Sequence, residues 1–376
     1  MTAKIDAYLS AEIPATPCLV IDLDEVERNH GAIVDAAPWL EVFYAVKANP
    51  ASPILNRLAR AGAAFDAASP AEIAACLAAG VGPERISYGN TVKKRSDIAF
   101  AFEKGVNLFA FDSSGEIEKL ADAAPGAGVF CRIVVANDGA RWPLTRKFGC
   151  APDEAVALLL KARDAGLRPA GISFHAGSQQ IESARWGEGV RWCATIFERL
   201  AAHGVALDLI NIGGGFPVPY RDDEKLDLTA MFAAIDRAID ESVGASRPRI
   251  IAEPGRVIAA TAGKLVTEVV LVTERSYGGH QRWVYLDVGR YGGLAETEGE
   301  AIQYPLVSPV GGDTSSAVLA GPTCDSHDVL YEHATYDLPI DLDAGDRLVF
   351  SNAGAYTSTY ASVGFNGFSP LTEVFI

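Results

Sequence analysis

Short runs of β-branched and apolar residues alternate with alanine-rich stretches over residues 20–252 of the chain. Within the alanine-rich stretches, apolar residues recur at helical spacing, for example over residues 54–58, 71–77 and 155–160. Eight strands with intervening helices over roughly 230 residues predict a (β/α)8 TIM-like barrel, and a doubly wound open sheet is the competing architecture. The predicted strands span residues 42–46, 64–66, 86–88, 108–111, 129–135, 171–175, 207–212 and 249–252.

The pattern of hydrophobic positions changes after Pro254. Long β-branched runs appear at residues 265–272, 283–287 and 347–350, with glycine-rich turns and little helical periodicity, which is typical of an all-β domain. The segment before Val20 contains Pro14 and Pro17, and it could pair with this C-terminal β region. We therefore predict a barrel domain over residues 23–262. Residues 1–22 together with 263–376 are predicted to form a discontinuous β domain, either a β-barrel or a sandwich.

The composition narrows the class of protein. The 376 residues are 49% hydrophobic and 21% charged, and 48 acidic against 32 basic residues give a net charge of −16. This charge disfavours a nucleic-acid partner, and no run approaches the roughly 20 apolar residues that a membrane span needs. The N-terminus lacks signal-peptide regions, and the six cysteines form no CxxC pair. We expect a cytoplasmic protein with reduced thiols and no metal site, nucleic-acid partner or membrane partner.

Polar residues stand where the predicted barrel strands end, the edge at which barrel enzymes gather their catalytic groups. Lys47 is either a solvated ammonium or an amine in a dry pocket that can form a Schiff base. His175 is either a core histidine or a ring that stacks on a flat ligand. The Glu253 carboxylate needs a partner, which a pyridinium nitrogen or a structural arginine would supply. The other groups at strand ends are Asp66, Arg132, Gly213, Gly214, Gly215, Gly255 and Arg256.

Two further segments admit two interpretations each. The three glycines at residues 213–215 form either a tight turn or a loop whose backbone N–H groups bind a phosphate. In the second segment, at residues 321–328, Asp325 and Asp328 can simply form turns and Cys324 can be a small buried residue. A Cys–His hydrolase also combines these residue types, but the spacing places no orienting acid–base pair there.

Taken together, these motifs resemble the fold-type III pyridoxal-phosphate (PLP) decarboxylases of basic amino acids, and most closely the bacterial ornithine decarboxylases. The resemblance covers essentially the whole chain. The strings that carry it are YAVKAN at 44–49, FD at 65–66, HAGS at 175–178, GGGFP at 213–217, EPGR at 253–256, GPTCD at 321–325, GAY at 354–356 and FNG at 365–367.

The resemblance implies roles for the groups at the strand ends. Lys47 would carry the cofactor as a Schiff base, and Glu253 would pair with the pyridinium nitrogen so that the ring accepts electrons. His175 would stack on the ring face, and Asp66 and Arg132 would support Lys47. The implied cofactor-binding set is completed by Gly255 and by the phosphate ligands Ser178, Gly214, Gly215, Arg256 and Tyr356.

The resemblance also implies a homodimer in which two subunits share each active site. Cys324 of one subunit would reprotonate the substrate Cα after CO2 leaves, and Asp325 would bind the distal ammonium of a diamino acid. Many ornithine decarboxylases present a second aspartate to this ammonium, in a Tyr-Asp pair that residues 292–301 lack. Glu296 or Glu300 could substitute for it, and the spacing does not decide between them or Glu298. Tyr356 completes the implied substrate-binding set.

The implied reaction is decarboxylation of L-ornithine to putrescine, a step of polyamine biosynthesis, with lysine decarboxylation or dual specificity as the alternative. Diaminopimelate decarboxylases share the EPGR string, but they usually carry Glu where this chain has Asp325. The loop around Cys324 is not typical of alanine racemases. A non-catalytic homologue that binds a protein partner would tend to lose Lys47, Cys324 or the phosphate contacts, and this chain retains them.

Overall fold

A computed structural model of the chain describes residues 2–142, 147–224, 226–244, 247–277 and 279–376. The chain divides into two compact units, which we call the β unit and the barrel unit. The β unit comprises Met1–Val26, Val218–Lys225 and Arg256–Ile376, and the barrel unit comprises Glu27–Pro217 and Leu226–Gly255. The domain bounds inferred from the sequence, 23–262 and 1–22 with 263–376, stay a prediction.

The barrel unit contains eight parallel strands that close on themselves. The eighth strand pairs with the first through Ile251 and Glu41, so the open-sheet alternative is wrong and the predicted barrel is confirmed. Each predicted strand overlaps one observed strand. In chain order, the first to eighth barrel strands are Glu41–Ala45, Ala64–Ala67, Ile86–Tyr88, Leu108–Phe111, Gly128–Arg132, Arg168–Ser173, Leu209–Asn211 and Arg249–Ala252.

Helices alternate with the barrel strands, and side chains cap several of them. Ser69 accepts a hydrogen bond from the Glu72 N–H at 3.3 Å, and Asp227 accepts one from the Ala230 N–H at 3.1 Å. A short antiparallel pair, Ala140–Trp142 with Ser178–Gln180, lies outside the barrel. The helices are Leu23–Ala36, Ser52–Arg60, Pro70–Ala78, Arg95–Glu103, Ser114–Ala123, Pro152–Asp164, Ala184–Ala201 and Leu228–Val243, with 3-10 turns at Val46–Ala48 and Pro83–Arg85.

Apolar side chains fill the barrel interior. Phe43, Ala110, Phe130, Leu209 and Ile251, from five different strands, pack into one buried cluster. The barrel is therefore a packed core and not a channel, and polar chemistry is confined to the ends of its strands.

The β unit is built on a separate eight-stranded sheet. Its N-terminal strand, Cys18–Ile21, pairs antiparallel with Gly263–Arg275 and parallel with Thr372–Phe375, which is the pairing expected of the N-terminal segment. The remaining strands are Gln281–Leu286, Leu306–Val307, Thr314–Ala320, Val329–Pro339 and Arg347–Ser351.

The β unit also contains helical segments that the hydrophobic pattern does not predict. Helix Ala3–Ala11 buries Ile5 against Cys18 and Val20, and helix Arg256–Ala259 begins a few residues after the eighth barrel strand in sequence. The first of these helices is too short for the spacing of Ile5, Tyr8 and Leu9 to repeat along it. The 3-10 turns are Ala260–Ala262, Ala295–Glu300, Ser358–Tyr360 and Phe365–Gly367.

Over the described part of the chain, none of the helices combines the length and the apolar character that crossing a membrane requires. Of the six cysteines, Cys324 is exposed and the other five are buried.

Candidate active site

Lys47 lies on a tight turn at the end of the first barrel strand. The strand ends at Ala45, and the 3-10 turn Val46–Ala48 exposes Lys47 while burying its two neighbours. The Ala45 N–H donates to the Pro254 carbonyl at 3.1 Å, and a Cβ on Gly255 would lie 2.9 Å from the Ala48 Cβ. The close approach that Gly255 permits therefore fixes the Lys47 turn against the segment that follows the eighth strand.

Asp66 is a buried carboxyl at the end of the second barrel strand. The Ser87 hydroxyl donates to its Oδ1 at 2.9 Å. Burial raises the pKa of Asp66 well above its ordinary value, and repulsion from Glu253 raises it further, although Lys47 and the Ser87 hydrogen bond favour the charged form. Lys47, Asp66 and Glu253 thus act on one another electrostatically, with Asp66 inclined to keep its proton.

Glu253 directly follows the eighth barrel strand and is half-buried. The Asn211 side-chain amide donates to Glu253 Oε1, and the Asn211 Oδ1 accepts a hydrogen bond from the Gly213 N–H at 2.9 Å. The Glu253 N–H donates in turn to the Gly213 carbonyl at 2.8 Å. Among the described residues, no side chain other than Asn211 donates to this carboxylate, so it keeps lone pairs for an N–H group of a ligand.

His175 lies two residues beyond the end of the sixth barrel strand. Its Nδ1 accepts a hydrogen bond from the Gly177 N–H at 3.0 Å, so the ring proton resides on Nε2. Burial lowers the pKa of His175 well below its ordinary value, and the positive charges of Arg132 and Lys47 lower it further. The imidazole is therefore held as a neutral, flat ring.

The glycines after the seventh barrel strand form a backbone cradle beside this ring. A Cβ on Gly214 would lie 2.4 Å from the Glu253 carbonyl, and a Cβ on Gly215, whose φ is +91°, would lie 1.9 Å from the Gly177 carbonyl. Any larger residue would collide with the backbone. The N–H groups of Gly214 and Gly215 have no acceptor within the described ranges, which is unusual for protein interiors and suits an anion.

Arg132 and Ser178 complete the predicted residues of the barrel unit. Arg132 is the last residue of the fifth strand, and its guanidinium lies 5.2 Å from the centre of the Phe148 ring. Burial lowers the pKa of Arg132, while the carboxylates of Glu253, Asp112 and Asp66 favour its charged form. Ser178 is half-buried at the start of the short strand Ser178–Gln180.

In the β unit, Arg256 is buried and meets Tyr356 and Glu296. Its Nη1 and Nη2 donate to the two Glu296 oxygens at 2.6 and 2.5 Å, and its guanidinium lies 4.7 Å from the Tyr356 ring centre. Tyr356 takes a left-handed φ of +57°. A Cβ on Gly354 would lie 2.0 Å from the Ala259 carbonyl, so this glycine allows the Tyr356 segment to approach the Arg256 helix.

The loop that carries Cys324 is shaped by Asp328, a buried carboxylate. Asp328 accepts hydrogen bonds from the Thr323 hydroxyl at 2.7 Å and from the Arg290 N–H at 2.8 Å. The exposed Cys324 donates its N–H to Asn366 Oδ1 at 2.9 Å. The loop therefore has a defined conformation although its thiol faces solvent.

Asp325, the next residue in this loop, is held as a carboxylate. It accepts the His327 N–H at 2.8 Å, and this bond, with help from the Tyr291 hydroxyl, lowers the pKa of Asp325 below its ordinary value. Asp325 therefore presents a negative charge that can attract a cation.

Glu300 lies apart from these groups. Its carboxylate accepts the backbone N–H groups of Glu332 and His333 at 2.7 Å and that of Ala334 at 2.9 Å. Burial favours the neutral form, but these three hydrogen bonds lower the pKa of Glu300 below its ordinary value. Its described contacts are those of a structural anchor for the strand Val329–Pro339.

Comparison with known proteins places this arrangement in a family. Residues 23–260 match the family model described as the pyridoxal binding domain of pyridoxal-dependent decarboxylases. The chain belongs to this family. Decarboxylases of basic amino acids are among its relatives, and with the family model they show that the protein is a PLP-dependent amino-acid decarboxylase of fold type III.

Solved structures of similar proteins include complexes with cadaverine and with putrescine. The lysine/ornithine decarboxylase of Selenomonas ruminantium is 39% identical over 96% of this chain and 89% of its own length. The structure of SrLDC in complex with PLP and cadaverine has a TM-score of 0.89 at 36% identity and covers 100% of this chain and 94% of that chain. The lysine/ornithine decarboxylase of Vibrio vulnificus complexed with putrescine has a TM-score of 0.88 at 31% identity, covering 100% and 99%.

The barrel unit of this decarboxylase fits its cofactor. The glycine cradle offers two N–H groups to a phosphate, the Glu253 carboxylate can accept the N–H of a pyridinium, and the exposed Lys47 amine can react with an aldehyde. The neutral His175 ring can lie against an aromatic face without adding charge. In the β unit the buried Nε of Arg256 has no partner within the described residues, which leaves a donor for an anion.

The predicted site residues thus fall into two sets, whose roles stay predictions. The structure brings together Arg256, Tyr356 and Glu296 in the β unit, and it places Cys324 and Asp325 on a separate loop of that unit. Glu300 faces neither group through its described contacts. The set at the strand ends of the barrel unit is Lys47, Asp66, Arg132, His175, Ser178, Gly214, Gly215, Glu253 and Gly255.

Sequence reasoning missed the residues that orient these groups. Asn211 holds Glu253, Tyr220 contacts Arg256, and Asp328 shapes the Cys324 loop. Asn211 left a signal, because a polar residue between Ile210 and Ile212 is unusual in a buried barrel strand. Asp328 was singled out only as a turn former of its loop, and Tyr220 left no signal, since its partner Arg256 is distant in sequence.

Proposed function

We propose that this decarboxylase converts L-ornithine to putrescine and CO2, with L-lysine as the second candidate substrate. The observation that carries the proposal is Asp325, an ionised carboxylate adjacent to the Cys324 thiol. Such a carboxylate can form a charge-assisted hydrogen bond to the terminal ammonium of a diamino acid. Formation of putrescine would make this reaction a step of polyamine biosynthesis.

In this proposal the barrel unit binds the cofactor. PLP, when bound, supplies an electron-accepting ring that takes up the electron pair left at the substrate Cα when CO2 departs. Lys47 would hold the cofactor covalently, Glu253 would keep a proton on the ring nitrogen, and His175 would lie against the ring. The backbone N–H groups of Gly214 and Gly215 hold the phosphate, with Ser178, Arg256 and Tyr356 as further ligands.

The β unit handles the substrate in this proposal. Decarboxylation leaves Cα one proton short, and Cys324 delivers that proton from its thiol. Asp325 fixes the distal ammonium, and therefore sets the distance between the reacting carbon and the far end of the substrate.

A second copy of the chain would complete each site. Cys324 is exposed and its N–H donates to Asn366, and apolar side chains that flank Asn366 in sequence are exposed as well, with Val363 at 89%, Phe368 at 45% and Phe365 at 38%. Exposed apolar groups of this size mark an interaction surface more often than a solvated one. We therefore propose a homodimer in which Cys324 and Asp325 act in the partner's site.

Mixing two inactive variants tests the shared site. Lys47→Ala and Cys324→Ala destroy different halves of a shared site, so each mixed dimer keeps one intact site. After subunit exchange, CO2 release should recover to about a quarter of the wild-type rate, the statistical limit for random pairing in a two-fold dimer. Recovery confined to the background of the two parents would contradict the proposal.

The substrate is tested by the kcat/KM for CO2 release from L-ornithine, L-lysine, L-arginine and meso-diaminopimelate in the presence of PLP. We expect the kcat/KM for L-ornithine to exceed that for L-lysine by about 10- to 200-fold, the usual discrimination for one methylene. A preference for L-lysine would transfer the proposal to lysine decarboxylation. Turnover of neither L-ornithine nor L-lysine would refute it.

A further inference from the structure

Glu296 and Arg256 form a buried ion pair in the β unit. Their side chains are 7% and 6% exposed, and both carboxylate oxygens face the terminal nitrogens of the guanidinium. Two parallel charge-assisted hydrogen bonds fix both the distance and the plane of the arginine. Breaking them would leave a buried charge without a partner, so neither Glu296 oxygen is readily released to a substrate.

The other contacts of Arg256 restrict it further. Nη1 also donates to the Tyr220 hydroxyl at 3.0 Å, and the Tyr356 ring lies against the guanidinium at 4.7 Å. A guanidinium has five N–H donors in a planar fork. Glu296 accepts one N–H from each of Nη1 and Nη2, and Tyr220 accepts the second N–H of Nη1. The donors that remain are Nε–H and one N–H of Nη2, which lie on the same edge.

This open edge itself points to a ligand. The Nε of Arg256 is buried and has no hydrogen-bond partner within the described residues. A buried donor without a partner is rare, because it has lost its water without gaining a replacement. Paired Nε and Nη2 donors match two oxygens of a phosphate, which arginine binds in this bidentate manner.

We propose that Glu296 is a positioning residue that holds Arg256 so that its Nε/Nη2 edge receives the phosphate of the cofactor. This inference rests on the proposed function, and it assigns Glu296 a role in cofactor binding in place of substrate binding. Glu298 lies two residues after Glu296 in the same 3-10 segment, but it differs from Glu296 in burial and in its partner. Its side chain is 68% exposed and contacts Arg290, so it serves as the matched control.

The test compares the affinity of the apoenzyme for PLP and for pyridoxal, which has the same aldehyde but no phosphate. Glu296→Gln replaces one acceptor by an amide N–H that opposes the arginine, so Arg256 loses its fixed orientation. We expect its Kd for PLP to rise by about tenfold or more while its Kd for pyridoxal stays within about twofold of wild type. Glu298→Gln should change neither.

Glu296→Asp covers the case in which Glu296→Gln does not fold, because it keeps the charge and shortens the reach. It should weaken PLP binding by about threefold, again without affecting pyridoxal. An unchanged ratio of the two affinities, tighter PLP binding, or an equal loss for both ligands would overturn the inference. If the wild-type protein binds no PLP, the proposed function fails instead, and that result is distinct from any of these.

Discussion

The barrel unit and the β unit hold their candidate groups in opposite electrostatic states. In the barrel unit, burial raises the pKa of Asp66 and lowers that of His175, so both groups favour their neutral forms. In the β unit, hydrogen bonds from the His327 N–H and the Tyr291 hydroxyl lower the pKa of Asp325. Burial therefore favours the neutral forms of Asp66 and His175 in the barrel unit, whereas hydrogen bonds favour the charged form of Asp325 in the β unit.

The difference separates two tasks of a PLP enzyme. Neutral groups of fixed orientation suit an aromatic cofactor that stays bound through many turnovers, because they need no reorganisation when it binds. A carboxylate near solvent suits the capture of a cationic substrate that arrives from water at each turnover. Substitutions in the two units should therefore affect different measured quantities.

The largest effect should come from the barrel unit, with Lys47→Ala. Without the amine, the cofactor has no covalent attachment, so the purified variant should lack the absorbance of protein-bound PLP after dialysis. We expect kcat/KM to fall by about 10⁴-fold or more, as for removal of other covalent catalysts. Lys94→Ala removes an exposed lysine of the same unit and should leave both quantities unchanged. Retention of the absorbance in Lys47→Ala would show that another residue holds the cofactor.

Cys324→Ala should give the next largest effect and leave cofactor absorbance intact. Loss of the proton donor should lower the rate of diamine formation by about 10²–10⁴-fold. It should also divert the proton to the wrong carbon, so that an aldehyde appears, which chromatography of the products would quantify. Ser326→Ala, at an exposed position in the same loop, is the control. A variant that forms only diamine at the wild-type rate would exclude Cys324 as the acid.

Asp325→Asn should affect substrate binding more than the chemical step. The variant loses a charged hydrogen bond to the distal ammonium, so the KM for L-ornithine should rise by roughly 10- to 150-fold. Because its lowered pKa keeps Asp325 ionised into the acid range, the wild-type KM should not rise on this account between pH 7 and about 5.5. Asp341→Asn removes an exposed carboxylate of the same unit as a control. An unchanged KM in Asp325→Asn would remove this residue from substrate recognition.

The two units also differ in how well the sequence predicts them. All eight barrel strands follow from hydrophobic runs, because each strand is buried and leaves a local pattern. The positions of Lys47 and Glu253 follow from the same strands. The partner of Glu296 could not be predicted, since Arg256 is distant in sequence and only the folded β unit brings the two side chains together. Helix Ala3–Ala11 was missed because it is too short for the helical spacing of Ile5, Tyr8 and Leu9 to repeat.

The smallest expected effect is a pH dependence of stability that originates in the barrel unit. Above the ordinary pKa of about 6.5, His175 is neutral in both the folded and the unfolded chain, so it contributes no pH dependence. Below that value the unfolded chain takes up a proton that the folded chain, with Arg132 and Lys47 nearby, resists. Since the unfolded state then binds more protons, the free energy of unfolding falls as the pH is lowered towards the folded pKa.

Comparison of the wild-type apoenzyme with His175→Phe isolates this contribution. Between pH 6.5 and 5.5, we expect the wild type to lose about 1 kcal/mol more unfolding free energy than the variant, as measured by urea unfolding. His280→Gln removes an exposed histidine of the β unit, and its loss should match that of the wild type. Equal losses in all three proteins would mean that His175 takes up its proton as readily in the folded chain as in the unfolded one. The contrast between the two units would then no longer extend to the imidazole.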